Sequence, residues 1–92
     1  MTVQWSPIAL SDILQIYDYI AGDNQEAAAK VIERIRLAVE KLPRHPNMGR
    51  AGRVPGTREL VVGNYIIPYR FIGSSAEIIS VIHGARRRKR QT

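Results

Sequence analysis

Three short apolar runs in the second half of the chain place the strongest constraint on its fold. They cover residues 58–62, 65–72 and 77–83, and they are rich in β-branched and aromatic side chains. Residues 63–64 and 73–75 separate the runs, and short connections of this glycine-containing type favour β-hairpins. The sequence therefore predicts a three-stranded antiparallel meander.

Pro68 lies within the run that should form the middle strand. Proline cannot donate a hydrogen bond to a neighbouring strand, so we expect a bulge or an edge position at this residue. In the same run Tyr65, Ile67 and Tyr69 alternate with the residues between them. Arg70 is therefore expected on the opposite face from this tyrosine-rich set.

Two amphipathic helices are predicted upstream of the meander. Ser6 followed by Pro7 is typical of an N-cap and first helical position, and Gly22 is expected to end this first helix. Asp23 and Glu26 fit a capping box that opens a second helix, which should end before residue 43.

The predicted architecture is α+β. Residues 3–5 are a short strand candidate, and residues 43–56 contain three prolines and three glycines, which favours a loop. The predicted order is β-α-α-β-β-β, with the helical hairpin packed on one face of a small antiparallel sheet. We expect a single domain over residues 1–86 and a basic C-terminal tail over residues 87–92.

Composition narrows the class of protein further. The chain has 92 residues and no cysteine, which excludes a disulfide scaffold and a zinc finger. The N-terminal residues have no basic segment followed by an apolar one, and no apolar run is long enough to span a bilayer. We therefore expect a soluble, cytoplasmic protein without a membrane partner, and neither a metal nor another cofactor is indicated.

Charge is concentrated in the second half of the chain. Residues 1–49 carry five basic and six acidic side chains, whereas residues 50–92 carry nine basic and two acidic ones. The run 86–90 consists entirely of arginine and lysine. This asymmetry favours an anionic partner, which could be nucleic acid or an acidic protein surface.

Single charged or polar side chains interrupt the strand-like runs. A buried charge without a partner is costly, so we expect several of these groups to converge on one exposed patch. They are Arg53, Arg58, Glu59, Arg70, His83 and Arg86. A purely structural role is the alternative for some of them: Arg70 could pair with Glu59 or Glu77, and His83 could be a structural histidine.

Several motifs together resemble the RelE/ParE superfamily of toxins from bacterial type II toxin–antitoxin systems. They are the strand ending at Trp5, the helical segment 12–21, and the segments 53–60, 65–70 and 81–86. The ParE branch is the most similar. The resemblance implies a small toxin with the fold described above and a cognate antitoxin that neutralises it.

The superfamily contains two activities, and both remain open. A ParE-like member would inhibit DNA gyrase without chemistry of its own, and its target-binding residues would be Arg53, Arg58, Arg70, His83 and Arg86. A RelE-like member would be a ribosome-dependent mRNA endoribonuclease, with Glu59, Arg70 and His83 as catalytic residues.

The motifs favour gyrase as the target. In the nucleases a tyrosine follows the histidine or lies near the C-terminus, whereas Gly84 occupies this place here and no tyrosine follows Tyr69. A different target, lost toxicity or a plain nucleic-acid-binding module are further alternatives.

Overall fold

A computed structural model describes residues 2–84 of the protein. Met1 and residues 85–92 are outside this range, so Arg86, the tail over 87–92 and the predicted domain boundary lie outside the described residues. The elements are β1 (Thr2–Trp5), α1 (Pro7–Ala21), α2 (Gln25–Glu40), β2 (Arg50–Ala51), β3 (Arg58–Val62), β4 (Tyr65–Ile72), β5 (Ser75–Ile78) and β6 (Ile82–His83).

The strands form one sheet against which the α1–α2 hairpin packs. Their order is β1-β5-β4-β3-β2, and β6 also pairs with β4. The α+β fold with a helical hairpin on a small sheet is confirmed, including the meander of β3, β4 and β5. The sheet is mixed rather than purely antiparallel, because β1 pairs with β5 in parallel. The two helices and strands β2 to β4 lie between β1 and β5 in sequence, which is the kind of crossover that parallel pairing requires.

The helix ends follow from local side-chain chemistry. The Ser6 side chain accepts a hydrogen bond from the Ala9 amide at 3.0 Å, Pro7 occupies the first helical position, and Gly22 is the C-cap of α1. The predicted cap of α2 is wrong by one residue. Asn24 rather than Asp23 is the N-cap, and its amide oxygen accepts from the Ala27 amide at 3.0 Å.

The core lies between the helical hairpin and one face of the sheet. Its largest fully buried side chains are Ile35, Val39, Leu42, Ile67, Tyr69 and Ile78. Burial of each aliphatic side chain contributes roughly 1.5–3 kcal/mol. This face of the sheet is called the helix face below, and the opposite one is called the open face.

A bulge interrupts the last predicted strand. Tyr69 pairs with Ile78, and Ile66 pairs with Ile82, so residues 79–81 lie opposite only residues 67–68 of β4. The bulge expected from Pro68 is thus present, on the strand beside it. The Pro68 carbonyl accepts from the Ile79 amide at 2.9 Å, and the missing amide proton of proline coincides with the place where the ladder widens.

Candidate functional site

Arg58 and Arg70 point to opposite faces of the sheet. Arg58 is the direct cross-strand partner of Tyr69, which belongs to the core, so Arg58 lies on the helix face. Arg70 follows Tyr69 in β4 and therefore points to the open face, where its cross-strand partner is Glu77. The two side chains therefore leave their strands on opposite faces, because successive residues of a strand alternate, yet both border the recess described below.

The open face carries two ion pairs between neighbouring strands. Arg70 Nε lies 2.8 Å from Glu77 Oε1, which is one of the two pairings expected for this arginine. Arg50 Nε lies 3.3 Å from Glu59 Oε1. The Glu59 carboxylate is buried at 6% exposure whereas the Arg50 side chain is 61% exposed. In this pair the glutamate is therefore buried, and the arginine is accessible to solvent.

His83 lies on the helix face, at some distance from Arg58. Its ring meets the Tyr65 ring edge to face, with the centroids 5.4 Å apart. Tyr65 and Tyr69, the cross-strand partners of His83 and Arg58, are four residues apart in β4, which corresponds to about 13 Å. His83 and Tyr65 line a groove of about 530 Å³ together with Gln15, Ile16, Tyr19 and Ile20 of α1.

The structure therefore separates the residues of the nuclease alternative. Glu59 and Arg70 lie on the open face, because Pro68, the cross-strand partner of Glu59, is two residues from Arg70 in β4. His83 lies on the helix face with Tyr65. The sheet therefore lies between the His83 side chain and the side chains of Glu59 and Arg70.

Three hydrogen bonds on the helix face attach the loop before β2 to the side chains of Arg58 and Tyr69. The Tyr69 hydroxyl donates to the Pro46 carbonyl and accepts from the Gly49 amide, both at 2.9 Å. Arg58 Nη1 donates to the Gly49 carbonyl at 2.7 Å. A Cβ atom at position 49 would lie 2.7 Å from the Glu59 carbonyl oxygen and from the Tyr69 ring, so the loop requires glycine here. This role of Tyr69 was not predicted from the sequence, although a buried tyrosine hydroxyl generally needs a hydrogen-bond partner.

A recess of about 340 Å³ opens beside Arg58. Its lining residues are Pro46, Asn47, Ala51, Gly56, Thr57, Arg58, Tyr69, Arg70 and Phe71. The Tyr69 and Phe71 rings are arranged edge to face, 6.3 Å between centroids. Of the other predicted contact residues, Arg53 is exposed in the β2–β3 loop, and Arg86 lies outside the described residues.

Two charged side chains of α2 have shifted pKa values. Hydrogen bonding to Arg36 holds the pKa of Glu33 below its ordinary value, and Glu33 in turn raises the pKa of Arg36, but both lie on the exposed side of α2. Within residues 2–84, no group of three or more histidine, cysteine, aspartate or glutamate side chains is arranged to hold a metal ion. No helix in the same range is both long enough and apolar enough to cross a bilayer. Arg50 and Arg70 are paired with Glu59 and Glu77, whereas Arg58 has no carboxylate partner among residues 2–84.

Comparisons with known proteins agree with this fold over nearly the whole chain. A family profile described as "ParE toxin of type II toxin-antitoxin system, parDE" matches residues 3–88. The chain is 45% identical to Y4kP of Sinorhizobium fredii over 83 residues, which cover 88% of this chain and 85% of that protein. It is 31% identical to the toxin RelE2 of Caulobacter vibrioides over 84 residues, covering 91% and 96%.

A solved structure is also similar. The chromosomal ParDE toxin–antitoxin system of P. aeruginosa contains a chain that superposes with a TM-score of 0.81 at 30% sequence identity. The match covers 90% of this chain and 95% of that one.

Proposed function

The chain belongs to the ParE toxin family of type II toxin–antitoxin systems, and on this premise we propose that it inhibits DNA gyrase, and hence replication. A cognate antitoxin neutralises it. This function places the protein in the cytoplasm, where it meets the replication machinery.

The observation that carries the choice of gyrase is the separation of Glu59 and Arg70 from His83 by the sheet. General acid–base cleavage of RNA requires its proton donor and acceptor within about 3 Å of the same reacting phosphodiester. Side chains on opposite faces of a sheet do not meet this requirement. The separation therefore supports inhibition by binding rather than by cleavage.

The proposed contact residues for gyrase are Arg53, Arg58, Arg70, His83 and Arg86. Arg53 lies in the β2–β3 loop, Arg58 and Arg70 border the recess, and His83 lines the groove beside α1. An acidic surface of gyrase would be attracted by the net charge of +6 and held by these individual contacts.

The alternative function is a RelE-like, ribosome-dependent mRNA endoribonuclease. The 31% identity to the toxin RelE2 favours it, as does the shared position of Glu59 and Arg70 on the open face. Under this alternative both residues would act on the RNA backbone without His83 in the same site.

Induction of the chain in a bacterial host distinguishes the two functions. Gyrase inhibition predicts growth arrest with filamentation and a DNA-damage response while cellular mRNA stays intact, and co-expression of the antitoxin should restore growth. Rapid loss of translation with cleaved mRNA would contradict the gyrase proposal. Glu59→Gln is a second readout, provided that circular dichroism shows the variant to be folded, because Glu59 is buried and paired with Arg50. A folded Glu59→Gln variant should lose toxicity only if RNA cleavage is the activity.

A further inference from the structure

We propose that the recess beside Arg58 receives an acidic side chain of the cognate antitoxin, with the Arg58 guanidinium as its ion-pair partner. The inference rests on the toxin–antitoxin part of the proposed function and is independent of the identity of the target.

Arg58 differs from the other two arginines of the sheet, because no carboxylate among residues 2–84 is paired with it. Arg50 pairs with Glu59, and Arg70 pairs with Glu77. Arg58 is half-buried, yet its one side-chain hydrogen bond among residues 2–84 is to the Gly49 carbonyl, and no carboxylate in that range lies within ion-pair distance. A guanidinium has five N–H donors, and removing it partly from water is costly when no anion compensates. Arg58 therefore has both the unused donors and the uncompensated charge that an incoming carboxylate would satisfy.

The position of Arg58 is fixed before any partner arrives. Its backbone lies between Ala51 of β2 and Tyr69 of β4 in the sheet. Nη1 is held by Gly49, whose own amide is held by the Tyr69 hydroxyl. A preorganised arginine loses little side-chain entropy on binding, which increases the affinity gained from one ion pair.

The lining of the recess fits a protein side chain better than a nucleic-acid backbone. Phe71, Tyr69 and Pro46 provide apolar walls, and Asn47 and Thr57 add polar groups. The second arginine of the lining, Arg70, is already paired with Glu77. Nucleic-acid binding draws on several cations along a phosphate backbone, whereas one available arginine between apolar walls suits a carboxylate on a short apolar stem.

The antitoxin is the partner that this site favours. A half-buried cation without an anion destabilises the free toxin. A carboxylate that the antitoxin supplies in a long-lived complex offsets this free-energy cost. The net charge of +6 also selects an acidic partner. In the structurally similar ParDE system the toxin is found with its antitoxin.

The test is the affinity of the full-length chain for the antitoxin, measured by calorimetry with purified proteins. Arg58→Gln removes the charge and keeps an amide donor for the Gly49 carbonyl, whereas Arg44→Gln removes the same charge from an exposed residue outside the recess. We expect Arg58→Gln to weaken binding by about thirtyfold or more, and Arg44→Gln to change it by less than about fivefold. Equal affinities of the two variants would overturn the proposal.

A double-mutant cycle identifies the antitoxin residue. Each aspartate or glutamate of the antitoxin is replaced by its amide and combined with Arg58→Gln, and strong coupling is expected at one position. If Arg58→Gln does not fold, the same cycle is measured with Arg58→Lys, which keeps the charge but loses the planar fork. An absence of coupling at every position would also overturn the proposal.

Two further outcomes separate this inference from the proposed function. If Arg58→Gln abolishes toxicity but leaves antitoxin affinity unchanged, the recess belongs to the target and the proposal is wrong. If the wild-type chain does not bind the antitoxin at all, the toxin–antitoxin pairing itself fails, whatever the result with gyrase.

Discussion

Tyr69 connects the core of the protein to the loop before β2. Its ring is fully buried, and its hydroxyl satisfies both the Gly49 amide and the Pro46 carbonyl. The same loop forms one side of the recess beside Arg58. One residue therefore couples core packing to the shape of a candidate binding site.

Tyr69→Phe should lower the free energy of unfolding by about 1–3 kcal/mol, because it leaves two backbone polar groups without their partner. Urea denaturation followed by circular dichroism measures this. Tyr19→Phe is the matched control, since the Tyr19 side chain is 87% exposed and its change should stay within about 0.5 kcal/mol. Equal stabilities of the two variants would contradict the role assigned to the hydroxyl.

The opposite orientation of Arg58 and Arg70 could have been predicted from the sequence. A two-residue turn at Gly63 and Asn64 pairs Val62 with Tyr65, which in turn places Arg58 opposite Tyr69. Arg70 was correctly expected on the other face from the tyrosines. The register therefore does not place Arg58 and Arg70 on one face of the sheet, although both border the recess.

At the scale of elements, α1 and the bulge of residues 79–81 stabilise one another. Asp12 Oδ2 accepts from the Ser80 hydroxyl at 2.7 Å and from the Val81 amide at 2.9 Å. Ser6, the cap of α1, donates its hydroxyl to the Ile79 carbonyl at 2.8 Å. The helix thus satisfies backbone groups that the bulge removes from the sheet ladder.

Asp12→Ala should destabilise the protein by about 1–3 kcal/mol, because the Val81 amide loses its acceptor in a partly buried position. Thermal unfolding compares it with Asp18→Ala, which removes a carboxylate from an exposed position of the same helix. Asp12→Asn keeps one acceptor oxygen and should recover part of the loss. An Asp12→Ala variant as stable as Asp18→Ala would show that the contact contributes nothing.

Local chemistry explains which elements were predictable. Ser6, Pro7 and Gly22 define the ends of α1 within a few residues, so its bounds follow from the sequence. The interruption of the last strand depends on Asp12, almost seventy residues earlier in the chain, and no local pattern specifies that contact. Asp23 and Asn24 are adjacent and are both good N-cap residues, so the sequence did not determine which of them caps α2.

At the scale of the whole molecule, the fold resembles a binding scaffold with several separate surfaces. β1 pairs with β5 in parallel at one end of the strand order. This pairing was not predicted, because it joins strands that are far apart in the sequence. The groove beside His83 is separate from the recess beside Arg58, whose lining includes Arg70 of the open-face ion pair. Because Arg58 is proposed as a contact for both partners, the antitoxin and the target would compete for this recess.

The most direct test of the central claim is DNA supercoiling by purified gyrase in the presence of the purified full-length chain. Gyrase inhibition predicts that supercoiling falls with increasing toxin and recovers when the antitoxin is added in equal amount. Undiminished supercoiling at a large excess of folded toxin, together with mRNA cleavage on ribosomes by the same preparation, would contradict the claim.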